Sequence, residues 1–369
     1  MIEIEGTLFT TSPLHITDAS QDRRIESGSQ TMPMTSTQTL TVVGSADEGG
    51  KTPVRRVPVI PSNSLRGRIR RAGVDVLMDA IRDRGEPAPN LPTYHTLCAG
   101  TADGRPAKGA AVNLDRRHHQ MEHPFIGLFG GGPEMVESRF MTDTAWALVP
   151  ETVENLDVPA SCENDVVDPM GRENRLPLTQ TIFFRRIDDV LSFSDPQASD
   201  RIENYREAAQ EWLDSQRRDT SNGDGEENQH RDSSNGGGEE NQRGPRIQGW
   251  NAMEVVLAGL PFSFRVGTKT NSNPVQDGLL LAAMERFVER YPQLGGWTVK
   301  GFGRYDLSSV RLKHDGEDVG LLFTREEGKL KLNRDNPRIQ ALLDEWDSYV
   351  NAKEKKLKTA DLLDWAKAA

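Results

Sequence analysis

Four arginines fall within six positions of the stretch IPSNSLRGRIRRAG, residues 60–73: Arg66, Arg68, Arg70 and Arg71. Leu65, Ile69, Ala72 and Val76 recur there at helical spacing, which predicts an amphipathic helix with Ser62 or Ser64 as its N-cap. Cations in the first turns of a helix oppose its macrodipole, at a cost of about 0.3–1 kcal/mol each. A bound phosphate removes that conflict, because its oxygens accept from guanidinium groups and from the free amides of the first turn. With the apolar set turned to the core, Arg66 and Arg70 flank one side, and Arg68 and Arg71 the other. Gly67 faces outward between them and permits close backbone approach. Ser62, Asn63, Ser64, Arg66, Arg68 and Arg70 are therefore candidates to hold a polyanion. The bland alternative is a solvated basic face paired with acidic residues elsewhere.

Three further groups have chemical potential. LGGWTVKGFGR (294–304) sets Gly295, Gly296, Gly301 and Gly303 around Lys300 and leads to Arg304, a spacing that can form an anion-binding nest or a plain glycine-rich turn. His95 and Cys98 in YHTLC, with His118, His119 and His123 in RRHHQMEH, could ligate zinc. The spacing is loose, and solvated or RNA-facing histidines are the preferred reading, so no cofactor is expected. Asp18 and Asp22, beside Arg23 and Arg24, could serve metal-assisted phosphodiester cleavage or simply form turns, and the turn reading is preferred. No nucleophile elbow, Walker, dinucleotide or H-E-x-x-H motif is present.

The elements that must position these groups read as follows. Residues 1–16 alternate as a first strand, and residues 17–37 are a polar loop. Residues 37–43 and 54–60 make a hairpin arm, and the arginine helix runs from about residue 62 to 84, ending at Gly85. Residues 86–136 hold no clear long element. A strand follows at 141–149, strand or helix character resumes at 178–191, and a helix is expected at 200–217. RDTSNGDGEENQH repeats as RDSSNGGGEENQ, a duplication without apolar residues that reads as a disordered acidic loop over 218–242. Residues 253–268 read as a long strand, 277–291 as an amphipathic helix, 319–332 as a hairpin, and the tail from Pro337 as helices.

The 369 residues carry 35% hydrophobic residues and a mean hydropathy of -0.62, low for a wholly packed chain. Two cysteines, no long apolar run and no signal-like start fit a cytoplasmic protein without a membrane span. The net charge of -11 argues against nucleic acid, but its distribution does not. Residues 51–74 hold seven Lys or Arg and no acid, while residues 195–245 hold thirteen acids against six arginines. Patches decide what binds. Stripped of insertions, strand, helix, strands, then strand, helix, strand is the split βαβ order of an α+β, ferredoxin-like or RRM-like domain.

MIEIEGTLFTTSPLHI, IPSNSLRGRIRR, HPFIGLFGGG and GGWTVKGFGRYDL occur in that order. In them the chain resembles the RAMP superfamily of CRISPR proteins, more narrowly the Cas-seven-type backbone subunit, and most the type IV version. The resemblance covers nearly the whole chain except the repeat. It implies an RRM-like palm with inserted finger and thumb elements, polymerising along a guide RNA (crRNA) as a helical filament. Partners would be the target DNA or RNA and other effector subunits, in defence against viruses and plasmids.

On that resemblance residues 1–85 are the first half of the palm and 86–136 a finger-like insertion. Residues 137–195 are strands and a thumb-like segment, and 196–249 a helix and the repeat loop. Residues 250–335 are the second half of the palm and 336–369 the C-terminal helices. A backbone subunit must accept any guide sequence, so it grips phosphates and 2′-hydroxyls, a task suited to Arg66, Arg68, Lys269, Lys300 with Gly301, and Arg304, with Arg23 and Arg24 beside them. Met170, Phe183 and Arg185 are the thumb candidates for wedging bases apart. Type III relatives cut target RNA with an aspartate after the first strand. The loop around Asp18 and Asp22 does not match that pattern clearly, so the expectation is a non-catalytic subunit, with a ribonuclease acting through Asp18 or Asp22 as the alternative.

Overall fold

The computed structural model describes residues 1–27, 30–44, 54–100, 114–132, 134–167, 178–185, 207, 210–211 and 250–352. The chain runs through β1 (Ile2–Thr10), β2 (Thr17–Ser27), β3 (Gln30–Thr37), β4 (Thr39–Val43) and β5 (Val54–Ile60) into α1 (Ser62–Asp83). Helices α2 (Leu91–Ala99), α3 (Leu114–Glu122) and α4 (Pro124–Phe129) follow, then β6 (Phe140–Thr142), β7 (Ala145–Trp146), α5 (Pro150–Asn155) and β8 (Thr179–Arg185). The last part is β9 (Trp250–Val256), β10 (Pro261–Thr268), α6 (Pro274–Arg290), β11 (Tyr305–His314), β12 (Glu317–Leu321), β13 (Phe323–Glu326), β14 (Lys329–Leu332) and α7 (Pro337–Asn351).

The chain divides into two units. The first comprises Met1–Gln21, Ser36–Gln180 and Glu254–Ala369. Its sheet has the order β12-β11-β1-β10-β6, with every described pairing antiparallel. Without the edge strand β12 this is the ferredoxin-like arrangement: β1 at the centre, α1 crossing to β6, β10 returning between them, and α6 leading to β11 on the far side. The fold is α+β. In β1, Ile2, Ile4 and Leu8 are fully buried, as period-2 alternation against a helical layer requires. That layer is α1 and α6, pinned by Arg286 to Asp79 at 2.8 Å and Tyr291 Oη donating to Asp75 at 3.1 Å. The other face of β1 is covered too: buried Cys162, in a 3-10 segment at Ala160–Asp165, donates from Sγ to the Gly6 carbonyl at 2.9 Å. A capping box of Asn273 and Gln276 starts α6. A three-stranded sheet, β4-β5-β7, completes this unit with the two-stranded β13-β14.

The second unit is Asp22–Thr35 and Thr181–Met253, whose strands belong to a sheet of order β2-β3-β9-β8. Its β3 and β9 pair in parallel, Met34 opposite Ala252.

Several expectations are corrected. Residues 17–37 are two strands and not a loop; TDASQDRRIES is polar on both faces and hides the alternation that marks a strand. Within 86–136 the described residues hold three short helices, α2 to α4. The long strand over 253–268 is two strands parted by a turn at Gly259, φ 85°. The N-cap of α1 is Pro61, whose side chain caps nothing, so Ser62 and Ser64 both lie inside the first turn. The 178–191 segment is strand over Thr179–Arg185. Most of the 200–217 helix and all of the 218–242 repeat lie outside the described residues.

Candidate nucleic-acid interface

The arginines of α1 divide between two environments. Arg70 is buried, and its guanidinium satisfies four carbonyls: Nε donates to Leu97 O at 2.5 Å, Nη1 to Phe129 O at 2.7 Å, and Nη2 to Gly130 O at 3.0 Å and Thr96 O at 3.3 Å. These are the last carbonyls of α2 and α4, so one cation completes two helix C-termini. Burial, with Arg66 nearby, pushes its pKa down to about 10. The outward-flanking position expected for Arg70 is therefore corrected: it is a structural hub, not a surface cation.

Arg66, Arg68 and Arg71 remain at or near the surface. Arg66 donates to Phe129 O at a long 3.4 Å. Arg68 lies near enough to Tyr305 to offset part of the rise that burial imposes on that phenol. Arg71 acts in the same way on Tyr291, pushed up to about 12 first by burial and then by Asp75. The first turn of α1 carries no acidic residue. The basic end of the helix is therefore uncapped and open, with Asn63 exposed ahead of the arginines and Gly67 exposed between Arg66 and Arg68.

Tyr305 links this helix end to the glycine loop. Its hydroxyl donates to the Tyr291 carbonyl at 2.9 Å, and its ring stacks on Phe287 at 5.5 Å between centroids. Arg304 precedes it, exposed, with its amide bound to Ser12 Oγ at 2.8 Å. Upstream the loop is strapped to the segment after β1: Gly296 N donates to His15 O at 2.9 Å and Gly303 N to Pro13 O at 2.8 Å. Glycine is required at two of these positions. A Cβ at Gly303 (φ 75°) would stand 1.8 Å from Leu294 O, and one at Gly295 (φ 72°) 2.3 Å from His15 O. At Gly301 (φ 83°) a Cβ would meet nothing, so only the backbone conformation favours glycine there. Lys300 Nζ lies 4.4 Å over the ring of Trp297, itself at φ 60° and 38% exposed. Trp297 was not singled out in the sequence; its place inside the glycine run was the available signal.

Other residues expected at the site lie elsewhere. Ile2 N binds Thr268 Oγ1, while Thr11 N binds Arg304 O, so Lys269 emerges at the opposite end of β1 from Arg304, roughly 30 Å of strand away. There it pairs with Glu137. Arg23, Arg24, Asp22, Phe183 and Arg185 belong to the second unit; Arg24 is exposed on β2 and Phe183 on β8. Met170 lies outside the described residues. Asp18 is buried within β2, not set in a loop. Of the histidine group, His95 is exposed on α2, His119 stands 3.7 Å from Glu122, and buried His123 caps α4 by accepting from Ile126 N at 3.3 Å. Cys98 is half-buried on α2. Among the described residues, no three His, Cys, Asp or Glu side chains converge as a metal site.

A cavity of about 390 Å³ opens beside Arg66, lined by Asn63, Gly67, Gly100, Gly130, Gly131 and Met135 among others.

No protein-family model matches this chain, and no curated protein matches it significantly. Among solved structures, a chain titled "Type IV-B CRISPR Complex" aligns with 88% of this chain and 96% of its own length, at 12% identity and a TM-score of 0.41. At that identity and score the likeness carries no weight for function. Among the described residues no helix is long and apolar enough to cross a membrane.

Proposed function

We propose that this chain is a guide-RNA-binding backbone subunit of a type IV CRISPR effector complex, which lines up in copies along the RNA and supports target pairing without cutting. The observation that carries the reading is one juxtaposition within the first unit. The acid-free, uncapped start of α1, with Arg66, Arg68 and Arg71, shares Tyr305 and Tyr291 with the glycine loop that presents Lys300 and Arg304. Two of the four RAMP-like motifs of the sequence, IPSNSLRGRIRR and GGWTVKGFGRYDL, fall on those same two elements. Such a ridge offers cations to phosphates and so suits a strand of any sequence.

The ribonuclease alternative has weaker support. A metal-bound phosphodiester needs an accessible carboxylate, and Asp18, the second residue of β2, is buried.

Purification from cells that carry a CRISPR array tests the reading. RNA of defined length and a ladder of oligomers are expected, together with loss of both in an Arg66→Gln/Arg68→Gln variant that keeps the wild-type circular dichroism. Nucleic-acid-free monomers from the wild type would overturn it.

A further inference from the structure

The cavity beside Arg66 has features that the grip on a sugar-phosphate backbone does not use. Four glycines stand in its walls: Gly67 on α1, Gly100 at the end of α2, and Gly130 and Gly131 after α4. Two of these glycines are obligatory. A Cβ at Gly131 (φ 97°) would stand 2.3 Å from Gly100 O, and one at Gly130 (φ 74°) 2.8 Å from Ser138 N and Val136 O. The carbonyls of Phe129 and Gly130, which would repel an anion, are already engaged by Arg70. Arg66 stands among the lining residues, and Phe129 O takes one long bond from its five donors. On the same lining lies Met135, 62% exposed and at φ 49°, in the left-handed region that an unbranched side chain seldom occupies. A strained, exposed methionine over a glycine-walled recess presents a polarizable apolar surface to whatever enters.

We infer that this cavity is a nucleotide subsite: one unstacked nucleobase enters between Gly67 of α1 and the Gly131–Val136 hairpin that carries Met135, with its phosphate on Arg66. The inference rests on the RNA-binding reading above and adds to it a base-sized pocket at a defined place on the palm. The volume lies at the lower end of the about 300–1,000 Å³ of ligand sites, enough for a single nucleotide and too small for a folded segment. Flat glycine walls and a thioether contact every base by its face, so the pocket takes a base without reading its identity.

Gly67 supplies a clean plug. It lines the cavity, and a Cβ there meets nothing within 4 Å, so a side chain can be added without disturbing α1. The experiment compares a 12-nucleotide single-stranded RNA with an abasic strand of the same length, against wild type, Gly67→Met and Gly67→Ala. Wild type is expected to bind the base-bearing strand about tenfold or more tighter than the abasic one, as a stacked base contributes. Gly67→Met should reduce that ratio about fivefold or more, whatever it does to the affinity for the abasic strand, and Gly67→Ala should keep the ratio. An unchanged ratio in Gly67→Met, in a protein that still binds abasic RNA, would overturn the subsite and leave the strand-binding reading standing. Failure of wild type to bind either strand would overturn that reading and the subsite with it.

Discussion

Arg66 and Arg70 stand one turn apart on α1 and do different work. Arg70 is enclosed by carbonyls of two helix ends, and Arg66 faces outward beside the cavity. Arg70→Met should leave four buried carbonyls short of a donor and cost about 3–5 kcal/mol in urea unfolding, with Arg70→Lys restoring little because one ammonium cannot reach four acceptors. Arg66→Gln should change stability by less than about 0.5 kcal/mol and weaken RNA retention. Equal stability losses would refute the division. His15 makes a second prediction at this scale. Its Nδ1 is 2.7 Å from Glu254 O, its Nε2 is 3.2 Å from Thr17 Oγ1, and its own carbonyl holds Gly296 of the glycine loop. Burial lowers its pKa. A depressed histidine contributes stability that is full above its ordinary value near 6.5 and is lost as pH falls through the lower folded value. Urea midpoints measured below pH 6.5 should therefore drop further for wild type than for His15→Asn. Parallel profiles would show that His15 does not report on the loop.

The two internal glycines of α1 respond oppositely to the same change. Gly67→Ala adds a methyl into open space and should stabilise by about 0.5–1 kcal/mol, because alanine loses less backbone freedom in a helix. Gly73→Ala places Cβ 2.6 Å from Phe129 Cε2, in the contact that seats α4 on α1, and should destabilise by about 1–3 kcal/mol. Denaturant melts of the pair would decide it, and two changes of the same sign would mean the seat is softer than described. Helix α1 and the glycine loop were legible in the sequence because each is a local pattern: an apolar period of 3.6 with a closing glycine, and glycines spaced around basic residues. Arg70 was not, since its acceptors lie 26 to 60 residues away on helices too short to leave a period. The strand β2 failed for a different reason, having too few apolar residues to alternate. Lys269 was counted with the phosphate-gripping residues on the resemblance; the antiparallel register of β1 and β10 sends it to the far end of the sheet.

Across the molecule, the order strand, helix, strand, strand, helix, strand specified the sheet, because only a split βαβ winding lets α1 and α6 cover one face of β1, β10, β11 and β6. Which sequence stretches fill the second unit was not legible, since Asp22–Thr35 and Thr181–Met253 are joined through space. Net charge misleads for a related reason. A total of -11 predicts repulsion from RNA only if charge were spread evenly, whereas screening confines each group's influence to about 10 Å at ordinary ionic strength. Binding should then follow the local patch and not the total. If Arg66, Arg68, Lys300 and Arg304 each neutralise one phosphate of a single strand, log K against log salt should fall with a slope of about -3, since each contact releases about 0.7 of a counterion. Neutralising any one of the four should flatten the slope by about 0.7, while Lys269→Gln should leave it unchanged. A titration of labelled RNA from 50 to roughly 300 mM salt reads both, and a slope that responds to Lys269 as strongly as to Arg304 would place the strand along the sheet and not across its glycine-loop end.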